Sequence, residues 1–370
     1  MKQKDWNEVI TLYATSFEKV LYEEDTAFMD GMKKNAIVND DIRRYQHWEW
    51  TQGVGLYGFW NLYQFTKDEK YLSILKSYYD RQIKLGLPSK NVNTMAPMLT
   101  LSFLAEYLEH DDYMNLCVEW AEFVMKDFIR TKEGGLQHIT SDTLNDQELW
   151  DDTLFMTVLF LAKVGKILNN QAYIEEAKYQ FILHLKYLCD TKTGLWYHGW
   201  TFEGDHNFAS AFWGRGNCWI TIAIPEFLEM IECDHVVKTM LTNALIRQAE
   251  SLKKFQAQNG MWRTLVDDET SYVEASATCG FGYGLLRGVS LGILDESYIE
   301  VALKPLNEIL NYTNEEGILH QVSYGTPMGR DSKQFYKDIE LKPMPYGQAL
   351  AMLYLMEVMK LQNGSNETSK

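Results

Sequence analysis

The sequence predicts an all-α chain folded as a double ring of inner and outer helices, an (α/α)6 toroid of six hairpins in a single domain. Three observations predict it. A short polar or glycine-bearing segment feeds a strongly apolar helix six times along the chain. Between those starts a polar helix end runs into a turn glycine followed by apolar or aromatic residues. These glycines, Gly135, Gly194, Gly260 and Gly317, recur at roughly 60 residues, the length of one helical pair stacked on the next. Strand signals are confined to short alternating runs such as Gly260 to Val266, which suit brief strands in loops better than a large sheet.

The six starts follow in order. Trp50-Thr51-Gln52-Gly53 opens the first inner helix and leads into Gly53-Val54-Gly55-Leu56-Tyr57-Gly58, which matches the dinucleotide fingerprint G-x-G-x-x-G letter for letter. No strand precedes it and no acidic residue of a βαβ unit follows, so close helix packing accounts for the glycines better. Asn91-Val92-Asn93-Thr94 opens the second. Glu148-Leu149-Trp150-Asp151-Asp152 opens the third, an apolar helix from Thr153 to Val164, and a carboxylate beside such a wall costs several kcal/mol unless it is hydrogen-bonded or used. Trp213-Gly214-Arg215-Gly216-Asn217, Glu274-Ala275-Ser276-Ala277 and Pro345-Tyr346-Gly347-Gln348 open the last three. Gly280 to Leu286 and Ala349 to Met356 are apolar nearly all round, as a helix packed on both sides requires. Outer helices carry mixed charge with one apolar stripe, as in Tyr173 to Leu183.

A chain of 370 residues exceeds the usual single core, yet no Pro, Gly or Ser-rich linker divides it. A ring adds core by adding pairs, so residues 1–361 are expected to form one domain, with Gln362 to Lys370 as a polar tail. The N-terminus, Met1 to Trp6, has no apolar signal region, and no stretch supplies the ~20 apolar residues of a membrane span, so a cytoplasmic protein without membrane contact is expected. Five cysteines, widely spaced in apolar surroundings, read as reduced core residues. A net charge of −16 opposes nucleic-acid binding, which depends on clustered Lys and Arg. The eight histidines and the cysteines have no zinc-ligand spacing, and no serine sits in a G-x-S-x-G elbow, so neither a metal, nor another cofactor, nor serine chemistry is expected.

What remains is a population of aromatic, acidic and amide residues at the helix starts: Trp48, Trp50, Gln52, Asn91, Asn93, His138, Trp150, Asp151, Asp152, His198, Trp213, Arg215, Asn217, Trp219 and Glu274. Tryptophan faces suit the C–H faces of sugars, and eleven tryptophans is a high count. Asp, Asn, His and Arg satisfy hydroxyls and carboxylates. Singly, each residue could be a helix cap or a core aromatic; core packing alone does not gather Asp, Arg, Trp and His at the same helix ends. Asp152 falls three and four residues before Phe155 and Met156, while Asp151 lies about 100° round the helix. An axis-facing Asp152 would have its pKa raised by desolvation, which suits a proton donor near neutral pH. Asp151 as the inward group is the alternative.

Three motifs, Leu149-Trp150-Asp151-Asp152-Thr153-Leu154-Phe155-Met156, Phe212-Trp213-Gly214-Arg215-Gly216-Asn217-Cys218-Trp219 and Glu274-Ala275-Ser276-Ala277, resemble in order and spacing those of the unsaturated rhamnogalacturonyl hydrolases. These form family 105 of the glycoside hydrolases, related to the unsaturated glucuronyl hydrolases of family 88, and the resemblance runs from Trp48 to about Glu357. It implies a six-hairpin barrel of pectin degradation that removes a 4,5-unsaturated uronic acid, of galacturonyl type, from the non-reducing end of lyase-generated oligosaccharides. The chemistry implied is hydration: an aspartate, here Asp152, protonates C4 of the enol ether, water adds at C5, and the hemiketal opens and expels the neighbouring sugar. The distance rule between the carboxylates of ordinary glycosidases does not then apply. The resemblance also carries substrate-binding roles to Trp50, Asn93, His138, His198, Trp213, Arg215 and Trp219, with Arg215 on the uronate carboxylate and Trp213 under the ring. Two departures accompany it. Asn91-Val92-Asn93-Thr94 stands where relatives often carry an aspartate, and Asp151 stands where an apolar residue is common.

Two other readings suit the same residues. A sugar epimerase on this toroid would need His138 and His198, or a His and a Glu, across the axis. A non-catalytic carbohydrate-binding protein would keep the aromatics without needing a buried acid.

Overall fold

The computed structural model describes residues 6–24, 26–35 and 41–367. The expected absence of an N-terminal signal region falls on residues 1–5, outside the described residues. In chain order the helices are α1 (Trp6–Val20), α2 (Thr26–Asn35), α3 (Trp50–Thr66), α4 (Glu69–Leu85), α5 (Val92–Tyr107), α6 (Asp111–Lys126), α7 (Leu159–Ile167), α8 (Gln171–Leu188), α9 (Gly214–Met230), α10 (His235–Phe255), α11 (Ala275–Ser290), α12 (Ser297–Leu303), α13 (Leu306–Asn311), α14 (Gln334–Lys337) and α15 (Pro345–Glu367).

The inner helices α3, α5, α7, α9, α11 and α15 each pack on the next, and α15 returns to α3, which closes the ring. Five of them begin at or next to their predicted starts, α7 begins at Leu159 after a turn over Leu154–Val158, and all are apolar on every face because each packs between two inner neighbours and an outer helix. Helices α4, α6, α8, α10 and α12 back the first five. The sixth hairpin joins the two ends of the chain, since the outer partner of α15 is α1. Outer helices start on side-chain caps: Asp68 accepts from Lys70 N, Asn170 from Ala172 N, and Asp234 from Val236 and Val237 N.

The fingerprint glycines are packing residues. A Cβ at Gly53 would lie 2.6 Å from the carbonyl carbon of Ala96 on α5. One at Gly55 would strike Phe17 of α1, and one at Gly58 would strike Met352 of α15. The three glycines thus bring α3 close to three different helices. The recurring turn glycines take left-handed φ values of +72° at Gly194, +86° at Gly260 and +77° at Gly317. In the first copy that residue is Gly134, at +75°, and not Gly135; the doubled glycine hides the register. Gly135 is needed for space instead, since a Cβ there would lie 2.5 Å from Leu149 Cδ2.

The run 260–266 makes only isolated bridges, Trp213 to Leu265 and Arg263 to Val273. Among the described residues the sheet is one antiparallel ribbon, β1 (Glu148–Trp150) on β2 (Gly199–Thr201). Helix α15 continues to Glu367, past the Leu361 boundary expected for a polar tail, and residues 368–370 lie outside the described residues. All five cysteines are unpaired: Cys117, Cys218 and Cys279 are buried, Cys189 and Cys233 half-buried. Among the described residues no helix is long and apolar enough to cross a membrane.

Candidate active site

The N-terminal ends of the inner helices surround a cavity of about 490 Å³. Trp50 of α3, Asn93 of α5, Asp152 and Met156 of the third start, and Trp213, Arg215 and Trp219 around α9 line it, together with His138, Trp150 and residues of two loops, 140–145 and 325–330.

Asp152 is placed by the ribbon. The Asp151 N–H donates to the His198 carbonyl at 3.0 Å, continuing the β1–β2 ladder, and the Asp152 carbonyl then accepts from Phe155 N (3.1 Å) and Met156 N (3.0 Å) to start the inner helix. Its first turn, Leu154–Val158, is a wide π-turn before α7, and α7 runs to Ile167, past the expected Val164. This strand-to-helix change points the two acids in different directions. Asp152 lines the cavity with its side chain 15% exposed. Asp151 is fully buried and pressed on Gly216, where any Cβ would collide with its carboxyl, and neither of its oxygens has a hydrogen-bond partner. Burial raises the Asp152 carboxyl to about 7, with its own and the Thr153 backbone N–H and the Arg215 charge pulling the other way. Burial first, and the neighbouring Asp152 second, push Asp151 well above the ordinary carboxylate range. Asp151 is therefore part of the wall and does not face the cavity.

His138 stacks on Trp150 with ring centres 4.2 Å apart, and its Nδ1 lies 2.8 Å from Thr153 Oγ1 and 3.4 Å from Asp152 Oδ1. Burial lowers it to about 3. His198, expected to bind substrate, sits behind the cavity wall. Its ring packs on Trp150 (5.0 Å) and Trp213 (4.2 Å), and Nδ1 meets the Tyr336 hydroxyl at 2.7 Å. It belongs to the strand leading into β2, where Trp150 and Trp213 come between it and the cavity. Both histidines flank Trp150 instead of facing each other across the axis, which removes the geometry a two-histidine epimerase needs.

Arg215 is 1% exposed. Its guanidinium lies between the rings of Trp213 (4.9 Å) and Tyr346 (4.7 Å), and it donates from Nη1 to Ser323 Oγ (2.6 Å) and from Nη2 to Thr326 Oγ1 (2.9 Å). Glu274 Oε1 is 3.6 Å from Nη1, while Glu274 also caps α11 through Ala277 N (2.5 Å) and holds Ser323 N (2.9 Å). Trp50 stacks on Tyr346 at 4.6 Å and meets Trp219 edge-on at 6.2 Å, so the rings of Trp50, Trp213 and Trp219 and one planar cation share this side of the cavity, with Tyr346 behind them.

Several candidates prove to be scaffold. Asn91 caps α5, Gln52 closes the Glu49 backbone N–H at 3.1 Å, Asn217 ties Trp196 to α9, and Trp48 is core with Nε1 on Thr94 O at 2.9 Å. Sequence reasoning missed Arg330, whose half-exposed side chain stands at the cavity mouth, 2.7 Å from Glu148 Oε1. Its loop, Gly325-Thr326-Pro327-Met328-Gly329-Arg330, has turn chemistry but no helical period; a Gly- and Pro-rich segment just ahead of a predicted inner start was the available signal. Among the described residues no cluster of His, Cys, Asp and Glu is arranged to hold a metal ion.

Residues 23–362 match Glycosyl Hydrolase Family 88. The chain is 33% identical over 316 residues to the unsaturated rhamnogalacturonyl hydrolase YesR of Bacillus subtilis, covering 85% of this chain and 90% of that protein. Among solved structures it resembles that of a possible member of glycoside hydrolase family 105 from Salmonella enterica serovar Paratyphi A, at 42% identity and a TM-score of 0.89 over 97% of this chain and 96% of the other. A possible member of the same family from Klebsiella pneumoniae is similar at 40% identity and a TM-score of 0.89, covering 98% and 95% of the two chains.

Proposed function

The chain belongs to Glycosyl Hydrolase Family 88 and is a glycosidase, and on that premise we propose that it removes a 4,5-unsaturated galacturonic acid from the non-reducing end of lyase-generated rhamnogalacturonan fragments. One observation carries the assignment of the chemistry: Asp152, a carboxyl that lines the cavity beside His138 and Arg215, has a pKa raised to about 7 by burial, so it can hold a proton near neutral pH and give it up there.

The reaction runs in three steps. Asp152 delivers its proton to C4 of the enol ether, and the cation develops at C5 beside the ring oxygen. Water adds at C5 and its proton returns to the Asp152 carboxylate. The hemiketal at C5 then opens, which leaves C1 as a hemiacetal that expels the neighbouring sugar. Asp152 ends protonated, ready for another turn. Trp213 lies under the ring and Arg215 takes the uronate carboxylate, with Trp50, Trp219, Asn93 and His138 completing the walls. His198 acts through Trp150 and Trp213, the two rings it supports. The five unpaired cysteines favour a reducing compartment, the cytoplasm, as the place of work.

The test is a panel of lyase digests from several polysaccharides, followed by the ultraviolet absorbance of the C4=C5 alkene conjugated to the carboxylate. Loss of that absorbance, fastest on rhamnogalacturonan fragments, is the expected result. No loss on any digest would overturn the assignment, and faster loss on another polysaccharide would move the substrate.

A further inference from the structure

Arg330 is a cation that the three-step reaction does not use. It and Arg215 are the arginines that line the cavity. The Arg215 side chain is 1% exposed, at the closed end, whereas that of Arg330 is 48% exposed, at the mouth. With the uronate held at the closed end by Asp152 and Arg215, the rest of the oligosaccharide leaves past Arg330 and its loop.

The Arg330 guanidinium is held from three sides. Nη1 donates to Glu148 Oε1 at 2.7 Å, Nη2 lies 3.4 Å from Asn145 Oδ1, and the central carbon stands 5.2 Å from the centre of the Phe208 ring. The holders are fixed in turn. Glu148 Oε2 accepts from Trp150 Nε1 at 2.8 Å, and the Asn145 amide nitrogen donates to the His138 carbonyl at 2.8 Å, which leaves the amide oxygen for Arg330. The loop is tied down at Thr326, through Arg215 (2.9 Å), and at Gly329, whose N–H donates to the Tyr336 hydroxyl at 3.1 Å. Asp142 of the facing loop is engaged by the Thr140 and Thr143 hydroxyls at 2.9 and 3.2 Å. Neutralising the buried Glu148 explains why a positive charge stands here, since a buried charge without a partner is costly. A lysine would serve that purpose as well. A guanidinium has more N–H donors than Glu148 and Asn145 can take, and the others have no acceptor among the described residues.

We propose that Arg330 is a specificity-determining residue that binds an anionic group on the departing part of the substrate, the carboxylate of the next uronate along the chain. The inference rests on the cavity being the unsaturated-uronide site. In a rhamnogalacturonan fragment the sugar beside the unsaturated uronate is neutral and the one after it is acidic, so a second carboxylate comes out at the mouth. The open edge of a guanidinium meets a carboxylate with charge-assisted N–H bonds. Glu148, Asn145 and Phe208 hold that edge in place beforehand, which spares the cost of ordering a long side chain on binding. In a chain of net charge −16, a cation fixed at the mouth also offsets the repulsion that a fragment with several carboxylates would meet there.

The experiment compares R330Q with the parent on two purified products of one rhamnogalacturonan lyase digest. One is the unsaturated disaccharide, whose departing sugar is neutral; the other is the unsaturated tetrasaccharide, whose departing part carries one carboxylate. R330Q is expected to raise KM for the tetrasaccharide roughly three- to tenfold more than KM for the disaccharide, the scale of a charge-assisted bond at a half-exposed position. That difference is the signature, because damage to the loop, or to Trp150 through Glu148, reaches both substrates alike. Equal changes in KM for the two overturn the inference. Thermal melts confirm folding. If R330Q, which leaves Glu148 without its cation, does not fold, R330Q/E148Q removes both charges and the same comparison decides. A parent that bleaches neither substrate defeats the site assignment itself, and this inference with it.

Discussion

Asp152 Oδ1 lies 3.4 Å from His138 Nδ1, yet the two do not form an ion pair in the range where the acid titrates. Burial holds His138 down to about 3 and raises Asp152 to about 7, so between those values both groups are neutral. The imidazole therefore offers Asp152 a polar contact, shared with Thr153 Oγ1 at 2.8 Å, without a cation that would force the carboxyl to ionise early. An acid surrounded in this way keeps its proton close to neutrality, which is what protonation of an enol ether demands.

Asp152→Asn is expected to keep the fold and substrate binding while turnover falls by roughly 10²- to 10⁴-fold or more, because the amide keeps the shape and has no acidic proton to transfer. Asp151→Asn should cost far less, since Asp151 faces Gly216 inside the wall and not the cavity. Initial rates of alkene bleaching for the two variants check this. A larger loss in Asp151→Asn would transfer the acid's role to Asp151.

The pH dependence has a definite sign. The free enzyme must hold Asp152 protonated, so kcat/KM should be level below its raised pKa and fall as pH climbs past about 7. His138 and His198 contribute no limb near neutrality, because burial lowers both. A profile that rises with pH through the ordinary carboxylate value of 3.8 and stays level past 7 would mean that Asp152 works ionised.

The ring itself was legible because its signal is repeated. Six starts and four turn glycines constrain one another, and one ambiguous copy, Gly134-Gly135, shifts a single residue without disturbing the whole. That Asp152, Trp213 and Arg215 line the cavity was legible because each lies at an inner-helix start. His198 was misplaced because its position depends on which neighbour stands in front of it, and Trp150 and Trp213 come from other segments. Arg330 and the link between Glu49 and Asn91 were hidden for a related reason. One sits on a loop without a period, and the other joins two different helix starts through Ser141, a contact no local pattern encodes. The closing of the ring by α1 is likewise a meeting of chain ends.

Arg215→Lys is expected to weaken substrate binding and to lower stability. Lysine keeps a charge near Glu274 but loses the planar fork that reaches Ser323 and Thr326 together, and it loses the flat face packed between Trp213 and Tyr346. Buried partners left unbonded cost roughly 1–3 kcal/mol each. Calorimetric titration with unsaturated oligosaccharide, both proteins carrying Asp152→Asn so that nothing is turned over, measures the loss. Equal affinity would separate Arg215 from the carboxylate.

Asp152 should also leave a mark on stability. Its folded pKa of about 7 stands above its ordinary 3.8, so the folded chain binds this proton more tightly than the unfolded chain does. That preference stabilises the fold fully below 3.8 and is lost as pH rises toward 7, where the unfolded carboxyl ionises freely and the folded one resists. Asp152→Asn removes the dependence, and the amide faces a cavity that can solvate it. The variant should therefore gain on the parent between pH 4 and 7 and melt at the same temperature or higher above pH 7, although its turnover is nearly gone. Paired thermal melts across pH 4 to 8 read this directly. A variant that melts well below the parent at neutral pH would mean that the fold holds Asp152 ionised as a helix cap or an ion-pair partner, and the proton for C4 would have to come from elsewhere.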